Sequence, residues 1–144
     1  MPSRRNILSL AAAGTLGSIA GCSSLVDGSE DPLPVSVLLD NDDTEEQELR
    51  VVITDGFDER VFETTKAIPA DDGTGVGRVR IESAFEGLPG DDFTVRAWFD
   101  GEAAGTFDYE VTCPEDNYVA LLVEHRSDRG DGEPVHYNDH WCAD

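Results

Sequence analysis

Apolar and polar residues alternate along most of the chain after residue 34, and no long segment carries an apolar period of 3.6. Val35, Val37 and Leu39 alternate with other residues, as do Leu49, Val51 and Ile53. Arg60 to Ile68 forms a third, weaker run. Val79 and Ile81 interleave with Arg78, Arg80 and Glu82. Phe93, Val95, Ala97 and Phe99 define the clearest inward face. Phe107, Tyr109, Val111 and Cys113 continue the pattern with Asp108 and Glu110 opposite, followed by Val119, Leu121 and Val123. Val135, Tyr137 and Trp141 suggest a last edge segment. Period-two alternation predicts strands with one buried face, not helices.

Turn signals separate these runs. Asp55-Gly56 and Asp100-Gly101 are hairpin dipeptides. Asp40 to Glu46, Asp71 to Gly75 and Leu88 to Asp92 are polar or Gly/Pro-rich breaks. Seven or eight short amphipathic strands need a second sheet to cover their apolar faces. The expectation is an all-β fold, a single antiparallel β-sandwich spanning residues 34–144, with no internal repeat and no second domain.

The first 22 residues differ in kind. Ser3-Arg4-Arg5-Asn6-Ile7-Leu8 resembles a twin-arginine export motif, with Ile7 at a position usually held by Phe. The apolar run from Ile7 to Ala20 is diluted by Gly14, Thr15, Gly17 and Ser18 and is shorter than the roughly 20 residues of a spanning helix. Ile19-Ala20-Gly21-Cys22 resembles a lipobox, which implies cleavage before Cys22 and lipid attachment to its thiol. Residues 1–21 are therefore expected to be a signal peptide, and residues 22–33 a lipidated cysteine with a flexible tether. The implied location is the outer face of the cell membrane, held by the lipid at Cys22.

Charge narrows the choice of partners. Asp and Glu total 31, Lys and Arg total 10, and the formal net charge is -21. All the acids follow Cys22 while Arg4 and Arg5 precede it, leaving 31 acids against 8 bases in the mature part. Phosphate backbones would be repelled, so no nucleic-acid partner is expected, and simple adsorption to anionic lipid is disfavoured. Apart from Lys66 the later bases are all arginines. Many carboxylates with almost no lysine resembles proteins of salt-loving archaea. Such a surface repels itself in dilute buffer, whereas the Debye length falls to about 3 Å at 1 M salt. Thermal unfolding is expected to move to markedly lower temperature as salt drops from molar to millimolar; a melting temperature indifferent to salt would contradict this.

The stretch Leu88-Pro89-Gly90-Asp91-Asp92-Phe93-Thr94-Val95, closed by Asp100-Gly101, resembles a strand pair of immunoglobulin-like or carboxypeptidase-regulatory-like sandwiches. As a whole the chain resembles haloarchaeal twin-arginine-exported lipoproteins with one small β domain. That resemblance implies location and an immunoglobulin-like fold, and implies no activity.

Candidate chemistry gathers near the carboxyl end. His125, His136 and His140 are all the histidines, and Cys113 and Cys142 are the cysteines left once Cys22 is lipidated. Imidazole and thiolate are ligands for zinc or copper, so a metal site is one reading. The other is a Cys113–Cys142 disulfide with surface histidines, favoured by an oxidising compartment and an even pair. On a strand, His136 and His140 would share a face about 13 Å apart, too far to chelate one ion. A blue-copper site is excluded, because only Ala143 and Asp144 follow Cys142 and the sole methionine is Met1. The run Asp40-Asn41-Asp42-Asp43-Thr44-Glu45-Glu46 lacks the glycine and ligand spacing of an EF-hand loop and is expected to be a solvated loop. No Gly-x-Ser-x-Gly elbow, phosphate loop or His-Glu-x-x-His run occurs.

The expected protein is non-enzymatic, needs no cofactor, and binds or supports an envelope protein or glycan. The alternative is a cation- or transition-metal-binding surface domain that uses the acidic loops or the histidine-rich tail. Trp98, opposite Ala97 and Phe99 on a regular strand, is a candidate for an exposed patch.

Overall fold

A computed structural model describes residues 30–73, 75, 77–125, 130, 132–138 and 142. The leader, with Arg4, Arg5 and Cys22, lies outside the described residues, as do His140 and Trp141. Eight strands follow in order: β1 (Leu33–Asn41), β2 (Gln47–Thr54), β3 (Arg60–Ile68), β4 (Gly77–Gly87), β5 (Asp92–Phe99), β6 (Glu102–Glu110), β7 (Asn117–Val123) and β8 (Val135–Asn138). Among the described residues there is no helix, and so none long and apolar enough to cross a membrane.

The strands form two four-stranded sheets, ordered β4-β1-β7-β8 and β3-β2-β5-β6. The alternating positions face each other between them. Val35, Val37, Leu39, Val119, Leu121 and Val123 from the first sheet share one core with Leu49, Val51, Ile53, Val95 and Ala97 from the second. Each of these is at most 1 % exposed, as a half-buried alternating strand requires. Phe85, Phe93 and Tyr109 fill one end of this core, with Phe85 and Phe93 centroids 4.9 Å apart. Burial pushes the Tyr109 phenol up from its ordinary pKa. On one side the sheets meet through the stacked rings of Phe107 and Tyr137, 5.6 Å apart. The arrangement is that of a β-sandwich.

Three expectations need correction. The sandwich is not wholly antiparallel, because β1 and β7 pair in parallel from Val35↔Asn117 to Asn41↔Val123. Parallel neighbours require a long connection, and the whole second sheet together with β4 supplies it. Period-two patterning fixes which face is buried and carries no information on strand direction. Second, β6 begins at Glu102, well before Phe107, and Phe107 is only partly buried. Ala103, Ala104 and Gly105 show no alternation, yet Gly105 has a steric role, since a Cβ there would lie 2.5 Å from Phe107 Cζ. Third, the break at 40–46 is not simply solvated. Asp40 and Asn41 still belong to β1, and Asp40, Asn41 and Asp43 are all buried.

The two hairpin dipeptides do connect adjacent strands. Asp100 and Gly101 join β5 to β6 with φ of 52° and 80°, as a two-residue primed turn demands. The β2–β3 loop is wider and differently built. Its positive φ falls on Asp58, at 62°, and the Asp55 carboxylate accepts hydrogen bonds from the Phe57 and Glu59 amides, both at 2.9 Å.

Candidate functional site

The outward face of β3-β2-β5-β6 carries the most developed surface chemistry among the described residues. Because Phe93, Val95, Ala97 and Phe99 face the core, Thr94, Arg96 and Trp98 must face out. Register places Arg50 of β2 directly opposite Trp98, and its guanidinium carbon sits 4.7 Å from the indole centroid. The guanidinium can stack on the ring and still use its hydrogen-bonding edge. Arg50 donates to Glu63 Oε1 from Nη2 at 2.9 Å and from Nε at 3.3 Å, while Arg60 donates to Glu63 Oε2. The Arg50 hydrogen bond, reinforced by the charges of Arg60 and Arg50, holds the Glu63 carboxyl below its ordinary pKa.

Trp98, Arg50, Thr65, Glu48 and the Asp100–Gly101 turn line a shallow depression of about 220 Å³. One side is an aromatic plane fixed by a cation, and the rim offers carboxylate and hydroxyl groups. That combination can stack on a flat or ring-shaped ligand and hydrogen-bond its polar edge.

The carboxyl-terminal candidates are brought only partly together. The Cys113 and Cys142 sulfurs stand at bonding distance, 2.11 Å, with Cα atoms 5.3 Å apart. His136 projects outward from β8, with Nε2 2.7 Å from Glu124 Oε2. His125 is half-buried just beyond β7, and His140 lies outside the described residues. Among the described residues no three His, Cys, Asp or Glu side chains converge as metal ligands.

The acidic run instead has internal partners. Arg78 grips the Asp40 carboxylate with two hydrogen bonds, Nε to Oδ1 at 2.7 Å and Nη2 to Oδ2 at 3.0 Å. This pairing raises the Arg78 pKa above its ordinary value. Asp43 accepts from the Glu45 amide and from Gln47 Nε2, at 3.4 Å and 3.3 Å. Oxygens held this way shape the backbone.

One feature escaped the sequence reading. Phe57 and Leu88 are 89 % and 42 % exposed, the two exposed large apolar side chains among the described residues. A lone Phe between Gly56 and Asp58 has no alternating neighbours to show which way it points.

No protein-family model matches the chain, and no curated protein matches its sequence.

Proposed function

We propose that this chain is a lipoprotein exported by the twin-arginine route, anchored through Cys22 to the outer face of the membrane, and acting as a non-enzymatic binding module of a haloarchaeal cell envelope. The leader motifs support the location. The observation that carries the binding role is the Trp98–Arg50 stack, an indole kept on an outward strand position and lined up with a polar rim. An aromatic anchor beside an arginine is the composition of interface hot spots. The partner is an envelope protein or glycan. Of the two sandwich types, the carboxypeptidase-regulatory-like one is better supported. An immunoglobulin constant-type sandwich keeps its first two strands in one sheet, whereas β1 and β2 here lie in different sheets.

The test is retention of an envelope protein or glycan by the purified full chain in molar salt. Trp98→Ala is expected to weaken that binding at least about ten-fold while leaving the melting temperature nearly unchanged, as removal of a surface hot spot does. Unaltered binding by the variant would overturn the assignment of this face. Bound metal at near-unit stoichiometry that survives dialysis would overturn the non-metal reading.

A further inference from the structure

The chain enters the fold at the same end that bears its exposed apolar side chains. Leu33, the first residue of β1, pairs with Gly87, the last of β4. A short turn carries Leu88 and leads into β5, whose Thr94 pairs with Thr54 at the end of β2. The β2–β3 loop with Phe57 follows directly. An open cleft of about 370 Å³ joins the two loops, lined by Phe57 and Val61 on one side and Gly90, Asp91 and Phe93 on the other. Trp98 lies toward the opposite end of β5, beside the Asp100–Gly101 turn.

Both loops hold their apolar residue in an ordered frame. The Phe57 amide donates to Asp55 Oδ1 at 2.9 Å, and the Asp58 amide donates to the Asp55 carbonyl at 3.1 Å. The Leu88 amide donates to Asp91 Oδ2 at 2.8 Å, and the Asp91 amide donates back to the Leu88 carbonyl at 2.9 Å. A Phe that is 89 % exposed on a hydrogen-bonded loop is a fixed projection. Single exposed apolar side chains are ordinary on protein surfaces, so what sets this one apart is its place at the end where the chain enters the fold.

We propose that Phe57 and Leu88 dip into the interfacial layer of the membrane that holds Cys22. The proposal rests on the lipid-anchor reading. Ten residues separate Cys22 from Leu33, and on the tether reading a coil of that length would have a mean span of roughly 20 Å. The Phe57 end is thereby kept within reach of the bilayer, so that weak apolar contact suffices at the high effective concentration of a tethered site. A single lipid is a marginal anchor and gains from a second contact. The domain would then stand on this end with the Trp98 depression turned toward the outside.

Charge decides the character of the contact. Asp55, Asp58 and Glu59 flank Phe57 in its loop, and Glu86, Asp91 and Asp92 lie along the cleft beside it. An anionic surface repels this end, so electrostatic adsorption is ruled out as the driving force. Apolar insertion strengthens as salt screens the repulsion.

The test uses the full chain extracted from membranes and returned to vesicles, with Phe57→Trp as one reporter and Leu88→Trp as a second. Wild-type protein supplies the background of Trp98 and Trp141. In vesicles with brominated acyl chains, the added fluorescence is expected to fall about two-fold relative to plain vesicles. The quenching should weaken as salt is lowered to the lowest value at which circular dichroism shows the fold intact. Intact mass, measured on the same sample, reports the lipid on Cys22. Unquenched reporters on a lipid-bearing chain overturn the docking and leave the anchor standing. Quenching that grows as salt falls also overturns it. A chain without lipid overturns both readings.

Discussion

Asn41→Leu, which keeps the branched outline of the side chain at a larger volume, is expected to destabilise the fold by about 3–5 kcal/mol. Asn41 is fully buried at the end of β1. Its Nδ2 donates to the carbonyl oxygens of Glu45 at 2.8 Å, Pro69 at 3.0 Å and Ile68 at 3.3 Å, and its Oδ1 accepts the Asp43 amide at 2.9 Å. One amide therefore ties the start of β2 and the end of β3 to β1, which belongs to the other sheet. The Asp71 amide extends the tie by donating to the Asp43 carbonyl at 2.8 Å. Leucine would leave those backbone groups unpaired in a site with little access to water, and each unpaired buried group costs about 1–3 kcal/mol. Asn41→Asp should be no better, since it loses the donors and buries a charge. Glu46→Gln, at an exposed position of the same loop, should stay within about 0.5 kcal/mol of the parent. Denaturant unfolding in molar salt measures all three. A loss below about 1 kcal/mol for Asn41→Leu would mean that water replaces the amide and that the loop is solvated after all.

This knot also marks the limit of what the sequence discloses. The inner faces of β1, β2, β5 and β7 were legible because burial on one face imposes alternation, and Val35 to Leu39 or Phe93 to Phe99 have no other economical explanation. The bounds of β3 were legible as Arg60–Ile68 because turn residues flank it on both sides. Asn41 and Asp43 could not be distinguished from their exposed neighbours. In a chain with 31 acids, another polar residue in a polar run carries no signal of burial. What makes Asn41 special is that the nearby Glu45 carbonyl and the distant Ile68 and Pro69 carbonyls at the end of β3 converge on one amide. The same holds at the candidate site. The outward position of Trp98 followed from parity along β5, but Arg50 beneath it depends on the register between β2 and β5. Register is set by turn geometry and by long-range pairing, neither of which a single strand encodes.

Replacing both Cys113 and Cys142 with alanine is expected to cost about 3–4 kcal/mol, from the chain entropy of closing a loop with a sequence separation of 29. The effect should begin locally. β8 is a four-residue strand that, among the described residues, pairs with β7 alone, over Ala120↔Asn138 to Val123↔Val135. So short a strand is marginal without a staple. Cys113 provides a rigid anchor, being buried and clamped by Asn117, whose Oδ1 accepts the Cys113 amide at 3.1 Å and whose Nδ2 donates to the Cys113 carbonyl at 2.8 Å. Once the bridge is gone, β8 should fray first, taking Tyr137 off Phe107 and opening the core at Val135. Amide hydrogen exchange should therefore lose protection across β8 by more than the global loss, while β1 and β2 follow global stability alone. Uniform loss over all strands would place the whole cost in the unfolded chain, with no local part at β8. Unchanged stability and unchanged exchange in the double variant would show that the bridge holds nothing in place. Trp98 faces outward on the other sheet, and the segment before β8 meets the Asp100 turn at the rim of its depression, so the binding proposed for Trp98 should persist in the double variant under molar salt if that segment takes no part in it. Loss of that binding without global unfolding would mean that the carboxyl-terminal segment belongs to the recognition surface.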